Sequence, residues 1–117
     1  MHNKTIGKDG EALAVNYFIQ NGFTILHCNW RHGYIEIDII AYKEKMLHFI
    51  EVKTRTGTAF GRPEEAVSKK KMDMLKRGAE EYQYKNPQWK YIQFDVLAVQ
   101  ILKDGSTEYW LNEDVYF

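Results

Sequence analysis

Two neighbouring segments decide the fold of this 117-residue chain, Tyr34-Ile-Glu-Ile-Asp-Ile-Ile-Ala-Tyr-Lys43 and Met46-Leu-His-Phe-Ile-Glu-Val-Lys-Thr54. Both are rich in isoleucine, phenylalanine or valine, and the polar turn Lys43-Glu44-Lys45 joins them, so they are predicted to be neighbouring strands. Side chains alternate between the two faces of a strand, and both faces of the second segment are largely apolar. Such a strand is typical of the centre of a sheet that is covered on both sides.

The sequence on either side of these strands completes one α/β pattern. The predicted order is α-β-β-β-α-β-β, with elements at residues 8–21, 23–29, 34–43, 46–54, about 63–85, 91–102 and about 107–111. The second helix is expected to begin at Pro63, because a proline followed by Glu64 and Glu65 suits a first helical turn. Three consecutive strands between two helices indicate a mixed sheet with a helix on each side, in a single domain of residues 1–117.

Composition excludes several classes of protein. Hydrophobic residues make up 44% of the chain and aromatic residues 15%, which excludes a disordered protein. No run approaches the roughly 18 apolar residues of a membrane span, and residues 1–8 lack the apolar stretch of a signal peptide. The single cysteine, Cys28, has no internal disulfide partner. We therefore expect a cytoplasmic protein without a membrane partner.

Charge is distributed unevenly although the formal net charge is zero. Residues 51–77 hold eight lysines and arginines against four acids, whereas residues 104–117 hold four acids and no base. Charged segments of this kind are most often solvated faces, so charge alone gives only weak support for a nucleic-acid partner.

Ionisable residues interrupt strand faces that the pattern predicts to be apolar. Alternation places Glu51 and Lys53 on one face with Leu47 and Phe49, and His48, Ile50 and Val52 on the other. In the preceding strand it places Glu36, Asp38 and Ile40 opposite Ile35, Ile37 and Ile39. Buried carboxylates must be paired or bind a metal, because burying them unpaired costs many kcal/mol. The alternatives are a salt bridge at the sheet edge, such as Asp38 with Lys53, or a metal site.

Each predicted helix also directs a charge into its apolar stripe. Glu11 falls in the middle of the stripe of Gly7, Ala14, Val15, Phe18 and Ile19. Lys71 falls inside the stripe of Val67, Met74, Leu75, Gly78 and Tyr82, whereas Lys69 and Lys70 point elsewhere. Glu11 also suits the first turn of a helix without any function, and Lys71 also suits the edge of a core. Inward charges on four elements together favour one shared site.

Three acids and a lysine suit the hydrolysis of a phosphodiester. Mg²⁺ prefers carboxylate oxygens, a metal activates water, and an ammonium stabilises the charge that develops on the phosphoryl oxygens. Other chemistries lack their motifs: the chain has no GxxxxGK[ST], no GxGxxG and no GxSxG. Its four histidines show no zinc-site spacing with Cys28.

Asp38 followed by Glu51-Val52-Lys53 resembles the D…ExK signature of the PD-(D/E)xK nuclease superfamily, which has the restriction-endonuclease-like fold. A wider set of motifs over about residues 8–99 is similar to the YraN-type family, largely uncharacterised bacterial proteins related to Holliday-junction resolvases. These motifs are Gly10-Glu11-x-x-Ala14, Asn29-Trp30-Arg31, Glu36-Ile37-Asp38, Phe49-Ile50-Glu51-Val52-Lys53-Thr54-Arg55, Phe60-Gly61-x-Pro63, Ala66-Val67 and Phe94-Asp95-Val96.

The resemblance implies a role for each inward charge. It implies that Asp38 and Glu51 bind Mg²⁺ or Mn²⁺, that Lys53 is the catalytic lysine, and that Glu11 is the helix-one acid that supports the metal site. Lys71 matches a basic position of helix two that faces the site. The chain departs from the family pattern at Ile35, where glycine is frequent, and at Gln93, where arginine is frequent; the second change is expected to remove a partner of Asp95.

The function expected from this resemblance is a Mg²⁺-dependent endonuclease acting on structured or branched DNA. The basic residues expected to hold DNA phosphates are Arg55, Arg62, Lys69, Lys70 and Lys71, and the loop 55–62 is expected to close over the substrate. The alternatives are a non-catalytic nucleic-acid-binding module and a scaffold stabilised by salt bridges. A homodimer would enlarge the small binding surface, with the aromatic tail (Tyr109, Trp110, Tyr116 and Phe117) as a candidate interface.

Overall fold

The computed structural model describes residues 3–57 and 68–115, and for residues 3–8 it describes the backbone alone. Its elements are α1 (Asn3–Gln20), β1 (Thr24–His32), β2 (Ile35–Lys43), β3 (Met46–Thr56), α2 (Lys69–Lys85), β4 (Tyr91–Ile101) and β5 (Thr107–Asn112). The predicted order α-β-β-β-α-β-β is confirmed. No helix within the described residues is long and apolar enough to cross a membrane.

The strands form one mixed sheet in the order β1-β2-β3-β4-β5. β3 and β4 are parallel, from Met46 opposite Tyr91 to Thr56 opposite Ile101, and the other neighbours are antiparallel. Parallel neighbours need a long crossover connection, and α2 lies in the connection between β3 and β4. β3 therefore occupies the centre of the sheet, as its two apolar faces predict.

Each face of the sheet carries one helix and one apolar core. On the first face, Leu75, Ala79 and Tyr82 of α2 pack with a cluster that includes Ile37, Ile40, Leu47, Phe49 and Phe94. On the second face, Ala14 and Phe18 of α1 pack with a cluster that includes Ile39, Ile50, Leu97 and Val99. The expected helix on each side of the sheet is confirmed.

The buried stripe of α1 differs from the predicted one. Gly10, Ala14 and Phe18, spaced four residues apart, are buried, whereas Ile19 is 53% exposed. Gly10 has a steric reason to be a glycine, because a Cβ atom there would overlap the side chain of Thr54 on β3. The inclusion of Ile19 in the stripe was wrong because the helix approaches β3 along the Gly10 side.

Strict alternation along β2 was also wrong. Ile37 and Ile40 both belong to the cluster under α2, and Ile39 belongs to the cluster under α1. The pairing of β2 with β3 runs from Lys43 opposite Met46 only as far as Ile39 opposite Ile50. β2 therefore leaves β3 at Asp38, and the change of face occurs at this fork.

The second helix begins later than predicted. Ser68 is its N-cap: its backbone is extended (φ −78°, ψ 160°) and its hydroxyl oxygen accepts a hydrogen bond from Lys71 N at 3.1 Å. Because the serine at this position satisfies an amide of the first turn, α2 begins at Lys69, and the extended backbone of Ser68 excludes one continuous helix up to Lys85 from before this residue. The end at Lys85 is as predicted, while Pro63 and Val67 lie outside the described residues.

The third strand is longer than predicted. Arg55 and Thr56, assigned from the sequence to a loop, continue β3 opposite Gln100 and Ile101 of β4. The remainder of the expected loop, from residue 58 onward, lies outside the described residues.

Candidate functional site

Four of the predicted site residues converge where β2 leaves β3. Glu51 and Lys53 lie on the α2 face of β3, Asp38 lies at the fork, and Lys71 comes from the first turn of α2. The N-cap at Ser68 sets where α2 starts and thereby places Lys71 over this part of β3. The local structure thus brings residues from three separate elements to one point.

Glu51 is the centre of this cluster. Its side chain is only 5% exposed, and its two carboxylate oxygens face one lysine each: Lys53 Nζ lies 3.7 Å from Oε2, and Lys71 Nζ lies 3.7 Å from Oε1. These distances allow ion pairing but are too long for hydrogen bonds. Among the described residues, the buried Oε1 atom has no hydrogen-bond partner. Glu51 is therefore charge-paired on both sides and still able to accept a ligand.

Asp38 is held in place by the backbone of the neighbouring strand. Val52 N donates a hydrogen bond of 2.8 Å to Asp38 Oδ2. The β2–β3 ladder has already ended at Ile39, so this carboxylate takes the place of the next ladder partner of β3. The interaction fixes the orientation of Asp38 beside Glu51.

Burial opposes the ionisation of both carboxyl groups, and the charge of Asp38 further opposes that of Glu51. Burial, and then the charge of Asp38, raise the pKa of Glu51 to about 7, against the opposing effect of Lys71 and Lys53. Burial also raises the pKa of Asp38, although the hydrogen bond from Val52 and the charge of Lys71 act in the other direction. The pair therefore retains a proton near neutral pH when no further positive charge is present.

This donor set fits a hard divalent cation. Two adjacent carboxylates, one of them with a buried oxygen lacking a hydrogen-bond donor among the described residues, supply the ligands that Mg²⁺ and Mn²⁺ prefer. A cation bound between Asp38 and Glu51 would displace the proton that the pair retains and would offset the repulsion between the two carboxylates. Within the residues whose side chains the structure describes, no group of three or more His, Cys, Asp and Glu side chains is arranged to hold a metal, so a cation here would rest on the two carboxylates of Asp38 and Glu51.

Glu11 is not brought into that pair. It lies half-buried on α1, the helix of the opposite sheet face, and burial, followed by the charge of Glu11, raises the pKa of the Cys28 thiol on β1. Its role as a supporting metal ligand stays a prediction.

Comparison with known proteins places this sequence in a family. The model of "Uncharacterised protein family UPF0102" matches residues 10–99, a range that includes all four residues of the cluster. The chain belongs to the UPF0102 family. This is the YraN-type family that the sequence motifs resemble.

Relatives within UPF0102 match almost the whole chain. The chain is 42% identical over 111 residues to a UPF0102 protein of Dictyoglomus thermophilum, which covers 94% of each chain. It is 44% identical over 105 residues to one of Alkaliphilus oremlandii, covering 86% of this chain and 89% of the relative. A Bacteroides thetaiotaomicron UPF0102 protein is 43% identical over 98 residues, covering 84% and 80%. Neither the family description nor the names of these relatives state an activity.

The predicted DNA-binding residues divide into two groups. Arg55 is half-buried on β3 and, by alternation, shares the face of Glu51 and Lys53. Lys69 and Lys70 are exposed on the first turn of α2, next to Lys71, whose side chain turns inward to Glu51. Arg62 lies outside the described residues.

Ile35 and Gln93, the two residues that depart from the UPF0102 pattern, each contact another residue of the fold. Ile35 packs against Gly78 of α2, where a Cβ atom would lie 2.9 Å from Ile35 Cγ2. Gln93 Nε2 donates a hydrogen bond of 2.9 Å to Asp95 Oδ1, so the expected loss of a partner for Asp95 was wrong. Asp95 also accepts from Asp114 N and is paired at 2.6 Å with Nδ1 of His48.

Sequence analysis missed two residues of a groove along α2. Tyr34, in the turn before β2, and Arg77, on α2, line a groove together with Lys69 and Lys70. The signal that was available is the aromatic residue directly after Gly33 at a predicted turn, where side chains are normally small or polar.

Proposed function

We propose that this protein is a divalent-metal-dependent endonuclease that hydrolyses phosphodiester bonds in structured or branched DNA. The observation that carries the proposal is the buried pair of Asp38 and Glu51 flanked by two lysines, each 3.7 Å from Glu51. The preference for structured or branched DNA rests on the resemblance of the family to Holliday-junction resolvases.

Asp38 and Glu51 would hold the metal, together with the backbone carbonyl of Val52. When bound, Mg²⁺ or Mn²⁺ supplies Lewis-acid stabilisation of a phosphoryl oxygen and a water molecule that is more readily deprotonated. The hydrogen bond from Val52 N keeps the Asp38 carboxylate in one orientation. The protein thus presents both acids preorganised rather than on mobile side chains.

Lys53 is the residue we assign to the reacting phosphate. Its side chain is 32% exposed and its Nζ atom lies 3.7 Å from Glu51 Oε2, so it is able to reach both water and DNA. An ammonium group there orients the attacking water and stabilises the negative charge that develops on the phosphoryl oxygens. Lys71, from α2, limits the negative charge of the carboxylate pair from the other side.

The raised pKa of Glu51 argues against a simple salt bridge. Two nearby lysines would lower the pKa of an ordinary paired carboxylate, yet burial and Asp38 outweigh them. A carboxyl group whose surroundings disfavour its ionised form is unfavourable for stability and is characteristic of functional sites.

A non-catalytic nucleic-acid-binding module is the second candidate. The observation that favours it is the charge balance of the cluster, in which two ammonium groups already offset two carboxylates. In that case the cluster would serve to join α2 to β3, and the basic residues of α2 would bind DNA without cleavage.

Cleavage of defined DNAs separates the two candidates. We expect wild-type protein to cleave a four-way junction or a flap in the presence of Mg²⁺ or Mn²⁺, and Glu51→Gln to abolish cleavage while DNA binding remains. The matched control is Glu108→Gln, which changes an exposed glutamate of β5. Absence of cleavage by wild type on duplex, flap and junction, with binding retained, would favour the binding module.

A further inference from the structure

One groove along the first turns of α2 combines an exposed aromatic ring with several positive charges. It is lined by Tyr34, Lys69, Lys70, Asp73, Met74 and Arg77 and has a volume of about 740 Å³. That volume falls within the roughly 300–1,000 Å³ of typical ligand sites. Three of its lining residues are cationic and one is acidic, so the groove favours an anionic ligand.

Tyr34 is the unusual member of this groove. Its side chain is 75% exposed at the tip of the β1–β2 turn, so its ring contributes little to the core. An exposed tyrosine beside phosphate-binding cations supplies both contacts that an unpaired nucleotide makes, since the base stacks on the ring and the phosphate meets the lysine or arginine. A base inside a duplex is already stacked on its neighbours and does not present a face to the ring.

The groove is close enough to the cluster to act on the same DNA strand. Lys70, which lines the groove, is followed directly by Lys71, which pairs with Glu51. Tyr34 precedes Asp38 by four residues, so the two are separated by no more than about 13 Å along the strand. A nucleotide in the groove would therefore lie within a few nucleotides of a phosphate at the carboxylate pair.

We infer that this groove binds an unpaired nucleotide of the DNA substrate, with the base stacked on Tyr34 and the adjoining phosphates held by Lys69, Lys70 and Arg77. The ligand class rests on the proposed function. The inference adds a preference to it: DNA with unpaired nucleotides next to a duplex binds more tightly than fully paired DNA.

Two other exposed tyrosines, Tyr84 and Tyr91, do not combine an exposed ring with the surroundings that Tyr34 has. Tyr84 lies with Arg77 but also with Glu80 and Glu81, whose two negative charges outweigh the arginine and disfavour a phosphate. Tyr91 is 64% exposed but lies at the start of β4, at the far end of the sheet from Lys53. Tyr91→Ala is therefore a matched control for the loss of an exposed tyrosine ring.

Binding of labelled DNA to the full chain in the presence of a chelator tests the inference. The probes are a blunt duplex and the same duplex with a three-nucleotide single-stranded gap that contains 2-aminopurine. We expect Tyr34→Ala to weaken binding of the gapped DNA on the order of tenfold and to leave the blunt duplex unchanged. Tyr34→Phe and Tyr91→Ala should behave as wild type, and quenching of 2-aminopurine fluorescence should disappear only in Tyr34→Ala.

Equal affinity of wild type for both probes, or an equal loss for both in Tyr34→Ala, would overturn the inference. Its failure is separable from failure of the proposed function. Cleavage that persists unchanged in Tyr34→Ala, without a preference for gapped DNA, removes the stacking role and leaves the nuclease. Tyr34-dependent binding of gapped DNA without any cleavage by wild type retains the stacking role and removes the nuclease.

Discussion

At Glu51, burial and the charge of Asp38 oppose ionisation more strongly than Lys53 and Lys71 favour it. This balance should have a measurable effect on the stability of the protein. The pKa of Glu51 in the folded chain is raised from 4.5 to about 7, so the folded state binds a proton more readily than the unfolded state. The free energy of unfolding should therefore fall as the pH rises from about 4.5 to about 7. The size of the effect is on the order of 3 kcal/mol.

We expect Glu51→Gln to remove most of this decline, because the glutamine is neutral at every pH. Urea denaturation between pH 5 and 8, in a chelator, measures the free energy of unfolding of wild type and variant. Glu108→Gln is the matched control, since it removes an exposed carboxylate of β5. If wild type and Glu51→Gln lost stability in parallel, Glu51 would not carry the retained proton.

Asp38 tests whether the pair binds a metal. We expect Mg²⁺ or Mn²⁺ to stabilise the wild type and so to raise its thermal midpoint. At a hundredfold excess of cation over Kd, the free energy of unfolding should rise by about 2.7 kcal/mol. Asp38→Asn should abolish this stabilisation. The stabilisation should be larger at pH 8 than at pH 6, because the cation displaces the proton of the pair. In a purely structural cluster, Asp38→Asn would destabilise the metal-free protein and the cation would change neither melting curve.

Lys53 and Lys71 are equidistant from Glu51, which makes each a control for the other. If Lys53 acts on the reacting phosphate, Lys53→Ala should reduce the cleavage rate by a factor on the order of 10² to 10³ while metal binding and most DNA affinity remain. Lys71→Ala, which removes the same charge from the α2 side, should reduce cleavage less. Equal losses would mean that both lysines only balance the charge of Glu51, and unchanged cleavage in Lys53→Ala would refute its catalytic role.

At the scale of the elements, the packing of α2 on β2 depends on Gly78. A Cβ atom at this position would lie 2.9 Å from Ile35 Cγ2 and 3.0 Å from Ile37 Cδ1, so alanine does not fit without movement. Although alanine favours a helix over glycine by about 1 kcal/mol, overpacking costs about 1–3 kcal/mol. We expect Gly78→Ala to destabilise the protein by about 1 kcal/mol.

A double-mutant cycle shows whether this contact is the cause. Ile35→Ala is destabilising by itself because Ile35 is buried, but the double variant Gly78→Ala/Ile35→Ala should be more stable than the sum of the two changes. Glu80→Ala, on the exposed side of α2, should have little effect. Additive effects of Gly78→Ala and Ile35→Ala would show that the two residues do not compete for the same space.

The sequence predicted elements better than it predicted where they start or how they pack. Binary patterning was sufficient for the element order and for Glu51 and Lys53 on one face, because β3 alternates without interruption. It failed at Asp38, where β2 leaves β3 and the alternation of faces breaks. It also failed at Ser68, because a serine is only one of several residue types that favour a helix start, and the hydrogen bond from Lys71 N that makes it the N-cap of α2 is not visible in the sequence.

At the scale of the molecule, the chain is neutral overall but strongly divided. Residues 51–77, which supply Glu51, Lys53 and Lys71, hold eight basic and four acidic residues. The acidic segment of residues 104–117 includes β5, which lies at the edge of the sheet. Such a division lets a neutral protein present a basic surface to a polyanion, so a net charge of zero does not argue against the proposed binding of DNA.

The salt dependence of DNA binding measures how much of this surface contacts phosphates. Lys69→Ala and Lys70→Ala should each weaken binding modestly and equally across DNA sequences, and each should lower the slope of log K against log salt by nearly one unit. Lys90→Ala, an exposed lysine just before β4 at the far end of the sheet, removes the same charge from the whole molecule. A slope that falls equally in all three variants would indicate attraction by net charge alone. A slope that falls only for Lys69 and Lys70 would place the phosphates on the first turn of α2, beside the carboxylate pair.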